Sequence, residues 1–342
     1  MPATSVKVST DIHQLLQSFF SATSYTQVGV LTDSNTRKAC YPLIEKVLPS
    51  HQVMEVKAGE DFKNLTTCTE IWSALTEFHF DRHALLVVLG GGVLGDMGGF
   101  CAATFKRGID FVLIPTTLLS QVDASVGGKL GIDFQSYKNH IGVFQEPKAT
   151  LISTQFLKTL PERELRSGFA EIIKHCLISD AAKWDSIRKG NLASQNWLDL
   201  VDHSVAFKDG VVSRDPREKG ERKILNFGHT VGHAVESLSL SGDRLFHGEA
   251  IAMGMIAEAR IASKKGLLND AELQQIQKYI LEIFGKVKPS TPNEVIHLMK
   301  QDKKNKGNKI LMALPDSIGK ARWDVEVSED EVREALAYYD SL

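Results

Sequence analysis

Five short apolar runs set the architecture. Ala84-Leu-Leu-Val-Val-Leu89 has no polar residue. Gln27-Val-Gly-Val-Leu31, Gln52 to Val56, Phe111-Val-Leu-Ile114 and Ala149-Thr-Leu-Ile152 are strand-like in the same way. A strand that is apolar on both sides must be covered on both faces, as in a parallel sheet packed between helices. Helical patterns separate these runs, so the first half of the chain predicts an α/β domain with a largely parallel, Rossmann-like sheet. Several runs end in polar or glycine-rich tails: Thr32-Asp-Ser-Asn35, Ala58-Gly-Glu60 and Gly90-Gly-Gly92. Ligands of such sheets bind beyond the C-terminal ends of the strands. Those tails are therefore candidate site residues.

Near Pro161 the pattern changes. Strand-like runs become rare and helical periodicity takes over, as in Ala170 to Cys176, Gly248 to Lys264 and Ala271 to Phe284. Asn269 and Asp270 are candidate N-caps for the last of these. The expected division is an α/β domain over 1–160 and a mostly α-helical domain over 161–342, and 342 residues are enough for two cores. A basic run, Lys300 to Lys309, precedes Ile310-Leu-Met-Ala-Leu314. The formal net charge of −2 favours neither nucleic acid nor an anionic membrane as partner, so any anion site must be a local cluster. No apolar run has the length of a membrane span. Met1 to Asp11 does not read as a signal peptide. The four cysteines form no CxxC, which suggests a reduced, cytoplasmic setting.

Gly90-Gly-Gly-Val-Leu-Gly-Asp96 fits GxGxxG through Gly90, Gly92 and Gly95. Between a strand and a helix, such a turn lets backbone N–H groups and the helix dipole meet a pyrophosphate. Its bland alternative is a tight turn with close strand–helix packing. No acidic residue ends the following strand to take a ribose, whereas Asp33 and Glu60 end earlier ones. Further on, Thr116 and Thr117 suit a nucleotide, and Lys129, Lys138 and Asn139 suit an anionic substrate. Arg107, Lys174, Lys208 and Arg222 taken singly are ordinary surface cations. In the second half, His229 and His233 stand at i and i+4 of a predicted helix, and His247 follows. Glu171 lies in the apolar segment Phe169-Ala-Glu-Ile-Ile-Lys174. With Lys174 it reads either as an i, i+3 ion pair or as a carboxylate facing the histidines. A glutamate with two histidines and an open position suits catalytic Zn2+.

Together these stretches resemble 3-dehydroquinate synthases, members of the sugar phosphate cyclases. The resemblance rests on Gly90 to Asp96, Arg107-Gly108, Pro115-Thr-Thr-Leu-Leu119, Val126-Gly-Gly-Lys129, Lys138-Asn139 and Leu160-Pro-Glu-Arg-Glu164. It continues through Ala170-Glu-Ile-Ile-Lys174, Leu225-Asn-Phe-Gly-His229, His247-Gly-Glu249, Asp302-Lys-Lys304 and Ile318-Gly319. It implies an NAD-binding α/β domain and a helical metal-binding domain. It implies that Glu171, His229 and His247 hold one divalent metal, Zn2+ or alternatively Co2+. NAD would contact Asp33, Asn35, Glu60, Lys63, Gly91, Gly92, Val93, Asp96, Thr116, Thr117, Asp123, Lys138 and Thr159. A phosphorylated sugar acid would meet Asp123, Lys129, Asn139, Lys174, Lys208, Arg222, Asn226, His233 and one of Lys303 or Lys304. Catalytic roles fall among Lys129, Lys138, Asn139, Lys174, Lys208, Arg222, Asn226 and His233. Arg107 would reach a partner subunit's substrate site, which implies a homodimer.

The implied reaction converts 3-deoxy-D-arabino-heptulosonate 7-phosphate to 3-dehydroquinate and phosphate, in the shikimate route to aromatic amino acids. It runs by transient oxidation with NAD, phosphate elimination, reduction and aldol closure. The substrate phosphate or His233 would accept the proton during elimination. One departure is visible: Ala124 stands where this family usually has serine. The rival readings are another sugar phosphate cyclase, a metal-dependent polyol or glycerol dehydrogenase, and a catalytically silent binding protein.

Overall fold

The structure, a computed structural model, describes residues 5–135, 137–239, 244–287, 291–300 and 309–342. It divides into two compact units, Met1–Pro161 with Trp197–Val205, and Glu162–Asn196 with Ala206–Leu342.

In the first unit the elements run β1 (Ser5–Ser9), α1 (Ile12–Ser21), β2 (Val28–Asp33), α2 (Ser34–Ala39), β3 (Gln52–Val56) and α3 (Leu65–Glu77). They continue through β4 (Leu85–Gly90), α4 (Gly92–Thr104), β5 (Asp110–Pro115), β6 (Lys129–Phe134), β7 (Tyr137–Phe144) and β8 (Ala149–Ser153). Six strands form one parallel sheet in the order β1-β8-β5-β4-β2-β3. Successive side chains of a strand point to opposite faces, and the two faces here have separate cores. Leu86 and Val88 of β4 pack with Phe111, Leu113, Ile71 of α3 and Met97 of α4. Leu85, Val87 and Leu89 pack with Val112, Ile114 and Leu16 of α1. That division explains why these strands are apolar without interruption.

The five expected strands are present, each within a residue or two of its expected ends. Two features were not anticipated. β1 lies in a stretch too polar to announce itself, and it joins the sheet at an edge beside β8. β6 and β7 form a separate antiparallel hairpin. Leu130 and Ile132 of this hairpin enter the core, while Phe134, Tyr137, Ile141 and Phe144 are exposed.

The second unit carries α5 (Glu162–Ser179), α6 (Ala181–Ile187), the later part of α7 (Trp197–Arg214), α8 (His229–Leu238), α9 (His247–Lys264), α10 (Asp270–Phe284) and α11 (Pro292–Lys300). A hairpin of β9 (Ile310–Ser317) and β10 (Lys320–Val327) and then α12 (Glu329–Ser341) complete it. The apolar run at Ile310 is thus a strand within an otherwise helical unit. Of the 18 residues of α9, 13 are buried. A helix apolar all round belongs in the middle of its bundle. Asn269 caps α10, accepting from Glu272 N in a reciprocal capping box.

Candidate active site

The first unit gathers its candidate residues where the strands end. β4 runs into Gly90, Gly91 is the N-cap of α4, and Gly92 and Val93 open that helix with no side-chain cap. The first-turn N–H groups are thus left to a ligand, with the helix dipole favouring an anion. Gly95 does no packing, because a Cβ there would meet nothing within 4 Å. Close approach to the sheet is made by Gly98, whose Cβ would sit 2.8 Å from Leu31 and 2.9 Å from Val88. Thr116 N donates to Gly90 O at 3.0 Å, and Thr117 Oγ1 to Ser120 Oγ at 2.9 Å. The Ala124 methyl faces the same turn, 3.3 Å from where a Cβ on Gly92 would be. Serine there would bring a hydroxyl toward the turn.

Asp33 ends β2 and caps α2, accepting from Asn35 N at 2.9 Å and Thr36 N at 2.8 Å. Lys63 is buried. Its ammonium donates to Asp96 Oδ2 and to Asn139 Oδ1, each at 2.6 Å. Burial still pushes the Asp96 carboxyl upward, against the pull of Lys63 and with help from Glu60 and Asp123. Lys138 Nζ lies 3.9 Å from Glu60. Asn139, held at a positive φ of 48°, takes Asp133 Oδ1 on its backbone N–H at 2.7 Å. The β6–β7 hairpin therefore brings Lys138 and Asn139 to Glu60, Lys63 and Asp96. Lys129 starts the hairpin and is exposed. Asp123 sits in the turn 120–124, and Thr159 is exposed at the end of the turn 154–159 after β8. Arg107 is exposed in a left-handed segment, with φ 50° at Lys106, 70° at Arg107 and 113° at Gly108.

In the second unit three helices converge on one point. α5 presents Glu171, fully buried; α8 begins with His229, and α9 begins with His247. Glu171 Oε1 is 3.5 Å from His229 Nε2 and 3.5 Å from His247 Nε2. Its other oxygen takes the Lys174 ammonium, so the helical ion pair considered from the sequence is present and coexists with the histidine contact. The buried Oε1 has no hydrogen-bond donor. Such an atom is costly unless a cation or proton meets it. One oxygen and two imidazole nitrogens within 4.8 Å of one another are a donor set that fits a divalent metal such as Zn2+. Burial alone would raise the Glu171 carboxyl, but Lys174, His247 and His175 outweigh it and hold it well below the usual range. Burial would lower His247, but Glu171 and Glu236 prevail and raise it to about 9.

His233 is exposed, with its ring centroid 4.9 Å from that of His229 and 5.9 Å from that of His247. Lys208 and Arg222 are buried in the same unit. Arg222 Nη1 donates to Pro216 O at 2.9 Å, and Asn226 Nδ2 to Glu218 Oε1 at 2.7 Å. Lys303 and Lys304 lie outside the described residues.

Several positioning groups escaped the sequence reading. Glu258, fully buried on α9, accepts from Gly228 N at 2.6 Å and Val231 N at 3.0 Å. It caps α8 from a neighbouring helix, because Gly228 has no side chain to do so. Gly228 needs its left-handed φ of 79°, and a Cβ there would strike Met255 at 2.6 Å. Arg163 clamps Glu249 with two bonds of 2.7 Å, which secures the first turn of α9. The signals were in plain view: Arg163 and Glu249 lie inside the quoted motifs, and Glu258 is the single charge in the buried stretch Ala250 to Ala259.

Comparison with known proteins follows the same two halves. The 3-dehydroquinate synthase N-terminal family matches residues 53–167, and its C-terminal counterpart matches 168–305. A curated 3-dehydroquinate synthase of Parabacteroides distasonis is 39% identical, covering 98% of this chain and 97% of its own. The solved 2-epi-5-epi-valiolone synthase of Streptomyces hygroscopicus subsp. jinggangensis 5008, with NAD+ and Zn2+ bound, superposes with a TM-score of 0.88. It is 27% identical and covers 100% of this chain and 98% of its own. A 2-deoxy-scyllo-inosose synthase complexed with carbaglucose-6-phosphate, NAD+ and Co2+ superposes at 0.85 and covers 97% and 96%. At 24% identity it speaks for the fold.

Proposed function

The chain belongs to the 3-dehydroquinate synthase family, and from that premise we propose that it converts 3-deoxy-D-arabino-heptulosonate 7-phosphate to 3-dehydroquinate and phosphate. The observation that carries the metal-dependent part is the orphaned Glu171 Oε1 facing two histidine nitrogens. Glu171, His229 and His247 would hold Zn2+, with Co2+ as substitute. Gly91, Gly92, Val93, Asp96, Asp33, Asn35, Glu60, Lys63, Thr116, Thr117, Asp123, Lys138 and Thr159 would hold NAD, and the first unit is then a nucleotide domain and the second a metal domain. When bound, these groups supply reversible hydride acceptance and polarisation of a hydroxyl or carbonyl.

The protein's own residues do the rest. Lys174 keeps Glu171 ionised, so the carboxylate is ready as a ligand without a proton to shed. Lys208 and Arg222 are cations held at fixed places in a buried setting, which suits a substrate bearing phosphate and carboxylate. Lys129 and Asn139 would meet the same substrate from the hairpin. Asn226 would donate its amide to it. His233, exposed beside the metal ligands, would take a proton from it. A dehydrogenase of small polyols has no use for these cations, and this favours the cyclase. The decisive assay offers the heptulosonate phosphate with trace NAD+. Phosphate should appear over many turnovers without NADH accumulating. NADH formed one-for-one with product, or no phosphate at all, would leave a dehydrogenase. Phosphate released only from another sugar phosphate would move the chain to a sister cyclase.

The proposal extends to a homodimer in the cytoplasm in which Arg107 serves the neighbouring subunit. Its exposure and left-handed backbone support an outward-directed role. Mixing inactive Arg107→Ala with inactive His247→Ala should restore part of the activity once subunits exchange. Proven exchange without recovery would sink that part.

A further inference from the structure

An imidazole that binds a metal through one nitrogen must place its other nitrogen somewhere, and that second contact sets the ring. Carbonyl and carboxylate oxygens can only accept, so the nitrogen facing them must carry the proton. His229 Nδ1 meets Phe227 O at 3.1 Å, within its own chain segment. His247 Nδ1 meets Glu236 Oε2 at 3.1 Å, across from α8 to α9. Both rings therefore have Nδ1 engaged and Nε2 turned to the same oxygen of Glu171, at equal distances of 3.5 Å.

The two arrangements differ in what holds them. His229 is oriented by backbone two residues away. The His247 backbone is fixed too, since Gly248 N donates to Ser167 Oγ at 2.9 Å and a Cβ on Gly248 would lie 2.1 Å from Ser167 O. Its ring, however, is still free to rotate about the side-chain torsions, and the contact that stops it is a side chain. Glu236 sits seven residues after His229 on α8, two helical turns along the same face. One helix thus carries one ligand and the group that aims the other.

We propose that Glu236 is the positioning residue of the metal site: it accepts the Nδ1 proton of His247 and commits Nε2 to the metal. This rests on Glu171, His229 and His247 being the ligands. A competing role exists on the same coordinates, because Glu236, His233 and His247 also bring donor atoms within 4.8 Å of one another. In that role Glu236 would itself be a ligand.

The test uses the full chain, stripped of metal and reloaded with Zn2+ or Co2+. Zn2+ affinity is read by competition with a chromophoric chelator, and site geometry by the visible spectrum of the Co2+ form. Glu236→Ala should bind Zn2+ about 10–100-fold more weakly and alter the Co2+ spectrum. Glu236→Gln keeps an acceptor oxygen and should stay within about threefold of wild type, with its spectrum preserved. His247→Ala should lose tight binding altogether. Both Glu236 variants should stay folded without metal, losing at most the part of the unfolding midpoint that the His247–Glu236 contact supplies, since Glu236 is a partly exposed side chain. Wild-type affinity and spectrum in Glu236→Ala would overturn the proposal. So would Glu236→Gln as weak as His247→Ala, which would make Glu236 a ligand. Tight binding retained in His247→Ala would instead remove the ligand assignment itself, an outcome distinct from the other two.

Discussion

α4 and α9 both begin beside glycines, to opposite ends. At α4 the glycines leave space: Gly91 offers no side-chain cap to the first turn, and Gly95 has nothing within 4 Å. At α9 the glycine removes space, since Gly248 lets the helix touch α5 backbone to backbone beside the candidate ligand His247. Absence of a side chain thus leaves open space in one unit and makes a joint in the other. A nucleotide turn tolerates small displacements because it binds through a row of similar donors. A metal site does not, because three single atoms from three helices must meet within 4.8 Å.

The strongest test of this contrast is Gly248→Ala. In an ordinary helix the change would stabilise by about 0.5–1 kcal/mol. Here the new methyl would meet Ser167 backbone at 2.1 Å, and the expected cost is about 3 kcal/mol, or roughly 6–12 °C of unfolding midpoint. Metal content should fall with it. An unchanged midpoint would break the idea of a packed joint.

A second test separates the sites by pH. His247 is raised from its ordinary 6.5 to about 9 in the metal-free protein. Its contribution to metal-free stability is therefore complete below pH 6.5 and is lost as pH rises through 9. Metal affinity should move the other way over that window, rising about tenfold per pH unit and levelling above 9, because each ion must displace a proton. Calorimetry near neutral pH, in buffers of different ionisation enthalpy, should find about one proton released per Zn2+. No release would show that the metal does not use His247.

The smallest expected effect is the mirror of the first. Gly95→Ala enters open space within a helix, so the ligand-free protein should gain about 0.5–1 kcal/mol in chemical denaturation. A loss would mean that Gly95 packs after all. With the expected gain, the same glycine-to-alanine change has opposite signs in the two units.

The α/β unit was largely legible in the sequence because its signal is local: an apolar strand, glycines, then a helix. The strands of the central sheet could be placed for the same reason. β1 was missed because five residues with two serines and a lysine carry little pattern. The hairpin of β6 and β7 was missed because β7 is exposed at nearly every position, so no alternation of apolar and polar residues marks it. Glu171 and the three histidines were candidates from the sequence itself, but the choice of His247 rather than His233 to join Glu171 and His229 came from resemblance to a family. No spacing rule links residues 171, 229 and 247. Glu236 and Glu258 show the deeper limit. Their partners are a ring nitrogen and two backbone N–H groups on neighbouring helices, and only packing reveals those.

β1 has a history as well as a place. It pairs in parallel with β8, about 140 residues further along the chain. At ordinary synthesis rates it waits roughly 7–30 s for a partner to exist. During that wait it is an unpaired strand, the sort of segment that recruits strangers. Its brevity and its lysine make it a poor template in the interval. β2, β3, β4 and β5 can assemble earlier, since their mutual pairings all lie within residues 28–115. β1 thus docks only after β2 to β5 can pair, and the edge of the sheet that carries the glycine turn is shaped before the sheet is complete.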